Sequence, residues 1–255
     1  MSPPGRKPGQ SPAGHRPLRP GHVHVWYALL RDLQPQIEVL SLRLSPSEQF
    51  RAERFVRAKD RLDFTLAHGF LKAVLGWYPG AGGGPDPAAG NPFPARTGAG
   101  GSPWGISLAR TGTAAICAVG CGSAVGVDLG RVARLPDLDA LVGSVLTPRE
   151  REAFAALPES LRDRAFHLLW VSKEAVLKLE GSGLGIPPEH LEVGPRCWCE
   201  KSFSASLGER AMTVRTFGLA EDHVAALATP RPPEAVQFGR VHLIEGGLAI
   251  RMEND

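Results

Sequence analysis

Asp128 is the first residue of this sequence whose setting suggests chemistry. It lies in the stretch AVGVDLGRV, residues 124–132, where an apolar, β-forming run ends at a single carboxylate. Carboxylate oxygens are ligands that Mg²⁺ prefers, so Asp128 could be half of a divalent-metal site. Two residues later, where a second acid would share the same strand face, the sequence has Gly130. The other interpretation is that Asp128 is only the polar end of a buried strand.

Glu174 and Lys178 form a second group, in the stretch LWVSKEAVLKLEG. Together with Trp170 they recur at every fourth position, so all three lie on one face of a helix. On an arbitrary helix such a Glu–Lys pair is an ordinary surface ion pair, which contributes about 0.2–0.5 kcal/mol. The residues that flank the pair, considered below, favour a functional role instead.

Hydrophobic periodicity assigns these residues to elements of a mixed α and β chain. Asp128 falls on a predicted strand, and Glu174 falls on the longest predicted helix, which Gly181 and Gly183 are expected to end. The predicted strands are HVHVWYALL, WGISLA, TAAICAVG, AVGVDLGRV, HLEV, MTVRTF, HVAALAT and VQFGRVHLI. The predicted helices are SPSEQFRAERFV, DRLDFTLAHGFLKAVLGWY, LPDLDALVGSVL, TPREREAFAAL and LRDRAFHLLWVSKEAVLKLEG.

A segment rich in Gly, Pro and Ala divides the chain into two halves. This composition cannot build a core, and a loop of this length in a compact protein usually marks an insertion or a boundary. The predicted parts are a disordered basic tail over 1–21, an N-terminal subdomain over 22–78 and 104–125, the Gly/Pro-rich loop over 79–103, a C-terminal subdomain over 126–232, and a C-terminal extension over 233–255.

The two halves also share a local pattern. LSPSEQFRAERF in the first half matches LTPREREAFAAL in the second, with Ser45 and Thr147 at helix N-caps and Glu48 and Glu150 three residues later. Both are capping boxes, and each precedes a long amphipathic helix. Because capping boxes are common, coincidence is one explanation. The other, which we favour, is an α+β fold of two similar subdomains with a ligand site at their interface.

The composition restricts the class of protein. The chain has 255 residues, of which 43% are hydrophobic and 22% charged, as in an ordinary globular protein of one large or two smaller domains. No stretch approaches the roughly 20 apolar residues of a membrane span. A net charge of +3, with 7% aromatic residues not interleaved with basic ones, does not favour nucleic acid as a partner.

The cysteines indicate a reducing compartment. Neither Cys117 and Cys121 nor Cys197 and Cys199 have the C-x-x-C spacing of a zinc knuckle or a redox dithiol, so zinc ligands are not expected. Cys117 and Cys121 fall on one strand face, so these two are expected to be buried thiols. The N-terminal segment has no apolar stretch of the kind found in a secretory signal. Both observations favour a cytoplasmic protein.

The long helix carries the pattern W-x-x-K-E-A-x-x-K-x-x-G, which resembles the signature helix of 4′-phosphopantetheinyl transferases of the surfactin type. GVDL resembles the metal-binding strand G-x-D-x-E of that family. LSPSEQFRAERFVRAKDRLDFTLAHGFLKAVL resembles its first-half helices, and EDHVAALAT resembles a late strand. The resemblance covers most of the chain outside the tail, the loop and the last two dozen residues. The residues that match the helix pattern are Trp170, Lys173, Glu174, Ala175, Lys178 and Gly181.

The resemblance implies a fold and a reaction. The fold is a pair of α+β subdomains related by a pseudo-twofold axis. The reaction transfers the phosphopantetheine arm of coenzyme A, the co-substrate, to a serine of an apo acyl or peptidyl carrier protein, releasing adenosine 3′,5′-bisphosphate. The expected partner presents an acidic helix, the expected cofactor is Mg²⁺, and the enzyme is expected to be a monomer.

The resemblance also implies residue roles. Asp128 and Glu174 would hold Mg²⁺, Glu174 would accept the serine proton directly or through water, and Lys178 would contact phosphate. Trp170 and Lys173 would fix the helix in place. The residues expected to contact coenzyme A are Lys59, Arg61, Arg110, Lys173 and Lys178.

Several positions depart from the family pattern. Gly130 replaces the second acid of G-x-D-x-E, and Arg110 lies where the S-H-S segment has its histidine. An arginine could still hold phosphate through charged hydrogen bonds. Asp63 occupies the place of an arginine of the first half, with Lys59 and Arg61 close enough in sequence to compensate, and the G-K-P element has no clear counterpart.

These departures leave two functional hypotheses. In the first, the protein is an active phosphopantetheinyl transferase with a two-carboxylate metal site, and water fills the position opposite Gly130. In the second, it is a degenerate or repurposed protein of the same fold, which binds carrier proteins or takes part in other biosynthetic chemistry without pantetheinyl transfer.

Overall fold

The computed structural model describes residues 17–78, 104–181, 185–244 and 247–252. The predicted tail up to residue 16, the Gly/Pro-rich loop and Gly183 lie outside the described residues. Among the helices that are described, none is long and apolar enough to cross a membrane.

The described part of the chain contains nine strands and seven α-helices. The strands are β1 (His22–Leu29), β2 (Trp104–Arg110), β3 (Ala114–Cys121), β4 (Gly126–Arg131), β5 (Ser202–Leu207), β6 (Arg210–Gly218), β7 (His223–Thr229), β8 (Ala235–Ile244) and β9 (Gly247–Met252). The helices are α1 (Leu30–Leu33), α2 (Ile37–Ser41), α3 (Pro46–Glu53), α4 (Ala58–Leu75), α5 (Leu138–Val145), α6 (Pro148–Ala155) and α7 (Glu159–Glu180).

The strands form two sheets. The first has the order β2-β3-β1-β8-β9, and the second has the order β4-β7-β6-β5. Within the first sheet β8 runs parallel to β1, whereas β3 pairs with β1 in the antiparallel direction. The α+β class predicted from the sequence is confirmed. The pseudo-twofold relation and the subdomain boundaries stay predictions, and the segment expected to be an extension supplies β8 and β9 to the first sheet.

The two sheets meet where β2 of the first packs beside β4 of the second. The backbone N–H of Val127 in β4 donates a hydrogen bond of 3.0 Å to the hydroxyl of Ser107 in β2, and Ser107 is buried. This contact joins the two sheets three residues before Arg110 and one residue before Asp128. The junction therefore brings sequence-predicted residues of both halves to one place.

Helix α7 packs closely on β4 because of one glycine. A Cβ atom on Gly126 would lie 2.0 Å from the carbonyl oxygen of Ala175 and 2.6 Å from the backbone nitrogen of Leu179. No side chain can be accommodated there, so the strand backbone contacts the helix directly. At its C-terminus α7 ends at Gly181, whose φ of 70° is the left-handed conformation expected of a helix-ending glycine.

The two capping boxes predicted from the sequence echo are both present. Glu48 and Glu150 each accept a hydrogen bond from the backbone of their N-cap residue, at 2.8 and 2.9 Å, and the N-cap hydroxyl accepts one in return. Both glutamates are fully buried. Oε1 of Glu48 also forms a hydrogen bond of 3.0 Å with Nδ1 of His68. Burial alone would raise the pKa of Glu48, but these hydrogen bonds outweigh it, so that the pKa falls to about 2.

We expect Glu48→Gln to lower the free energy of unfolding at neutral pH by roughly 3 kcal/mol, because a depressed pKa measures the preference of the folded state for the carboxylate. This stabilisation is present above the unfolded pKa of 4.5 and is lost as the pH falls towards 2. Urea denaturation of both proteins at a series of pH values checks it. The difference in free energy of unfolding between the parent and Glu48→Gln should decrease steadily below about pH 5. A difference that stays constant down to the lowest pH at which both proteins fold would contradict the assigned role of Glu48.

In the second half one strand prediction was wrong and one strand was missed. HLEV forms no strand. Its residues contribute only a bridge between Glu192 and Ser206, because prolines at 187, 188 and 195 interrupt the segment. The strand β5 was not predicted, since serines alternate with its apolar residues. Phe203 and Ala205 are nevertheless buried, which is the period of a half-buried edge strand.

Candidate functional site

Asp128 and Lys178 form an ion pair where β4 packs against α7. The Lys178 ammonium donates to Oδ1 of Asp128 at 2.7 Å. It also donates to the backbone carbonyl of Val127 at 3.2 Å and to that of Leu108 in β2 at 3.5 Å. Asp128 is buried, with 8% of its surface exposed. The ion pair therefore lies at the junction of the two sheets, and a ligand site at this junction stays a prediction.

Glu174 lies one helical turn before Lys178, and its carboxylate is only partly satisfied. Its Oε1 atom is buried and has no hydrogen-bond partner among the described residues. Burial raises the pKa of Glu174, the neighbouring Asp128 carboxylate raises it further, and Lys178 acts in the opposite direction. Burial likewise raises the pKa of Asp128, and Lys178 again opposes the shift. A buried carboxylate, Asp128, and a half-buried one, Glu174, thus lie near a single ammonium group.

This donor set fits a hard divalent cation that takes part of its coordination from elsewhere. The described residues contain no group of three or more His, Cys, Asp or Glu side chains that could hold a metal. Mg²⁺ usually keeps several waters and is bound through one or two carboxylates plus substrate phosphates. The unpartnered oxygen of Glu174 beside Asp128 satisfies that minimum.

Gly130 faces the same helix two residues after Asp128. A Cβ atom on Gly130 would lie 3.0 Å from Cγ1 of Val171 and 3.7 Å from Cδ2 of His167. His167 donates from Nδ1 to the carbonyl oxygen of Asp163 at 2.7 Å, so in the neutral ring its Nε2 carries the lone pair. A side chain at position 130 would thus enter a narrow space bordered by His167 and Val171.

We expect Gly130→Glu to tighten Mn²⁺ or Mg²⁺ binding by roughly tenfold, equivalent to about 1.4 kcal/mol, since it adds a third carboxylate on the strand face of Asp128. The new Cβ atom requires the Val171 side chain to move by a few tenths of an ångström. Isothermal titration with the metal measures the effect. Gly130→Ala isolates the steric contact and Gly130→Gln isolates the charge. Equal losses of affinity in all three variants would mean that the position requires small size.

Lys59 and Arg110, two of the predicted coenzyme ligands, lie at the far end of β2. The Lys59 ammonium donates to Oδ2 of Asp63 at 2.6 Å and to the carbonyl of Gly112 at 3.0 Å. Arg110 is exposed. Its guanidinium is nevertheless partly desolvated by the surrounding protein, which lowers its pKa, and Asp63 and Asp60 oppose that shift, which indicates that these acids lie close by. Asp63 is therefore neutralised by neighbouring cations in the place where the family pattern has an arginine.

These cations are connected to the carboxylate site through β2. The carbonyl oxygen of Leu108 in β2 contacts Lys178. Arg110 lies two residues after Leu108, which is about 6–7 Å farther along the strand. Arg61 is exposed, and no described contact joins its side chain to Lys59 or Arg110. The structure thus brings Asp128, Glu174 and Lys178 together, and extends positive charge from there along β2.

Lys173 lies on a different face of α7 and is fully buried. Its ammonium contacts Oε2 of Glu150 at 2.7 Å and donates to the carbonyl oxygens of Val145, Pro188 and Leu191 at 2.8–2.9 Å. Burial lowers the pKa of Lys173, and Glu150 opposes the shift. A buried ammonium with four acceptors offers no surface to a coenzyme. The geometry therefore favours the other expectation for this residue, that it fixes the helix.

Two residues near the site were not singled out from the sequence. His167 could have been found, because it lies seven residues before Glu174 and shares the helix face of Val171, Glu174 and Lys178. Glu150 was found as a capping residue, but its pairing with Lys173 joins positions 23 residues apart on two helices, and no local pattern indicates it.

Comparison with known proteins is consistent with this arrangement. The sequence model of the 4′-phosphopantetheinyl transferase superfamily matches residues 124–228, a range that contains Asp128, Glu174 and Lys178. The 4′-phosphopantetheinyl transferase HetI of Nostoc sp. (strain PCC 7120 / SAG 25.82 / UTEX 2576) is 32% identical over 171 residues. That similarity covers 64% of this chain and 70% of HetI.

Proposed function

The chain belongs to the 4′-phosphopantetheinyl transferase superfamily and is a transferase, and from that premise we propose that it moves phosphopantetheine from coenzyme A to a serine of an apo acyl or peptidyl carrier protein in a Mg²⁺-dependent reaction. The observation that carries the proposal is the buried carboxylate of Asp128 and the buried, unpartnered Oε1 atom of Glu174, both beside Lys178.

In the proposed mechanism Asp128 and Glu174 would hold the metal. When bound, Mg²⁺ would neutralise charge on the coenzyme's pyrophosphate and favour departure of the leaving group. The carboxylates are suited to this because Asp128 and the Oε1 atom of Glu174 are withdrawn from water, which strengthens their interaction with a cation. With only two protein ligands, the remaining coordination positions are left for water and phosphate.

Glu174 is the proposed proton acceptor. The carrier serine oxygen attacks the phosphorus that bears the pantetheine arm. A new P–O bond forms, and the bond to the bridging pyrophosphate oxygen breaks, so that adenosine 3′,5′-bisphosphate leaves. The serine proton passes to Glu174, directly or through water. Its raised pKa supports this role, because a carboxylate of higher pKa is a stronger base.

Coenzyme A would be oriented by cations on both sides of the junction. Lys178 would contact the pyrophosphate, where a lysine stabilises charge on the transferred and leaving phosphates. Arg110 and Lys59, farther along β2, would contact the adenosine-side phosphate, and Arg61 would add positive charge nearby. The exposure of Arg110 supports this assignment, because its guanidinium remains accessible to a ligand.

The protein is further proposed to act as a monomer in the cytoplasm on a carrier protein with an acidic recognition helix. Free thiols support a reducing compartment, and Cys117, Cys121, Cys197 and Cys199 are all free. Cys117 is buried as expected, whereas Cys121, for which burial was also expected, is half-buried; Cys197 is buried and Cys199 is exposed.

A second candidate function follows from the sequence departures. Gly130 in place of an acid and Arg110 in place of a histidine are the changes expected in a protein that still binds carriers but no longer transfers the arm. This alternative predicts binding of an apo carrier without a change in its mass.

Mass spectrometry distinguishes the two functions. The purified chain is incubated with coenzyme A, Mg²⁺ and several apo carrier proteins, with EDTA-treated samples as the control. A gain of one phosphopantetheine mass that depends on Mg²⁺ supports the proposal. No gain on any carrier, together with no calorimetric binding of coenzyme A, rejects it in favour of the second candidate.

A further inference from the structure

The Lys178 ammonium has all of its hydrogen-bonding capacity engaged. An ammonium carries three protons, and here three acceptors surround it: Oδ1 of Asp128 at 2.7 Å and the carbonyl oxygens of Val127 at 3.2 Å and Leu108 at 3.5 Å. Meanwhile Oε1 of Glu174, one turn away on the same helix, has no partner among the described residues. The lysine thus bonds to the carboxylate of Asp128 and leaves Oε1 of Glu174 without a partner among the described residues.

In the proposed function Asp128 holds the metal and Lys178 contacts the pyrophosphate. The ion pair between them is incompatible with both roles. A metal on Asp128 would place a divalent charge against an ammonium that is already bonded to the same carboxylate. The repulsion is strong in a partly buried site, since effective dielectric constants there are well below that of water. The ammonium must therefore leave Asp128 before, or as, the metal binds.

The pyrophosphate of coenzyme A offers the displaced ammonium a new set of acceptors. Lysine is suited to such a move because its charge is carried on a flexible four-carbon chain. Lys178 loses hydrogen bonds when the metal arrives alone, and regains them when the pyrophosphate arrives with it. Binding of the two ligands is then coupled, and the coupling free energy is the same whichever ligand binds first.

We propose that Lys178 occupies the place of the metal on Asp128 in the free enzyme, so that tight metal binding requires the pyrophosphate that draws the lysine away. The inference rests on the proposed function, since it assumes that the metal and the coenzyme meet at this site. It adds that the metal affinity of the free protein is held low by a residue of the protein itself.

The test measures Mn²⁺ affinity by electron paramagnetic resonance of the free ion, without and with coenzyme A, in full-length protein. Lys178→Met is compared with the parent and with Lys201→Met, which removes the same charge from an exposed residue away from Asp128. Mixtures of Mn²⁺ and coenzyme A without protein correct for direct binding, and circular dichroism verifies that each variant is folded.

We expect Lys178→Met to bind Mn²⁺ alone about tenfold more tightly than the parent, and Lys201→Met to bind as the parent does. The factor by which coenzyme A increases Mn²⁺ affinity should be about tenfold smaller in Lys178→Met. Unchanged or weaker binding of Mn²⁺ alone by a folded Lys178→Met protein would overturn the inference, as would an equal gain in Lys201→Met.

The outcome is separable from failure of the proposed function. If the parent protein does not bind Mn²⁺ in the presence of coenzyme A and does not modify any carrier, the proposed function is rejected, and the inference is rejected with it. If the parent modifies a carrier and binds both ligands, but Lys178→Met shows no gain in Mn²⁺ affinity, only the inference is rejected.

Discussion

Replacing Glu174 with glutamine is expected to reduce the rate of transfer by at least about a thousandfold while leaving the protein folded. Loss of general-base catalysis alone accounts for roughly 10²- to 10⁴-fold, and the same change removes one of two carboxylate ligands for the metal. Glutamine keeps the shape of the side chain but cannot accept the serine proton. Single-turnover transfer, followed by the mass of the carrier protein, measures the loss.

The stability of this variant provides a second, independent readout. The Glu174 carboxylate is destabilised by burial and by Asp128, and its Oε1 atom has no partner to lose. A neutral amide removes that repulsion, so the melting temperature should stay the same or rise. A site that loses activity while gaining stability is one in which function and stability conflict.

Glu180→Gln is the matched control, because Glu180 lies on the same helix and pairs with the exposed Arg210 rather than with Asp128. It should transfer at the parent rate. Full activity in Glu174→Gln would show that the proton acceptor has been wrongly assigned. Equal losses in both variants would instead indicate damage to the helix.

The second large effect is expected at Lys173, on stability rather than on chemistry. Lys173→Met should lower the free energy of unfolding by about 3–5 kcal/mol, because removal of one partner leaves the other charge buried without compensation. Glu150 would keep only its backbone donors, the N–H groups of Thr147, Val193 and Gly194. Urea denaturation followed by circular dichroism measures the change.

The double variant Lys173→Met with Glu150→Gln serves as the control for this interpretation. It removes both charges, so it should recover part of the lost stability. If Lys173→Met unfolds at the parent urea concentration but binds coenzyme A more weakly, then Lys173 is a coenzyme contact, as one of the two sequence expectations had it.

Features governed by local sequence were predicted well. The capping boxes at Ser45 and Thr147 depend on residues three positions apart, and both are formed. The end of the long helix at Gly181 depends on one residue that tolerates positive φ. The shared helix face of Glu174 and Lys178 follows from helical period alone. Each of these features could be predicted because the residues that determine it lie within one or two helical turns of one another in the sequence.

The geometry of the site was less accessible from the sequence. That Asp128 meets Lys178 depends on the direct packing of β4 on α7, which a glycine at position 126 permits. The sequence pattern marked neither this contact nor the burial of Lys173 against Glu150, because both join elements distant along the chain. The family resemblance supplied the pairing of Asp128 with Glu174, while the commitment of the lysine to Asp128 is a property that only the structure reveals.

The parallel pairing of β8 with β1 has a consequence for how the chain folds during synthesis. Strand β1 lies between β3 and β8, and its side chains are almost wholly buried. Until β8 (Ala235–Ile244) has left the ribosome, one edge of β1 has no partner strand. An unpaired apolar edge of this kind can form hydrogen bonds with strands of other chains. The first sheet, which contains the first strand of the chain, is thus completed last. The second sheet can form before β8 and β9 are available to the first.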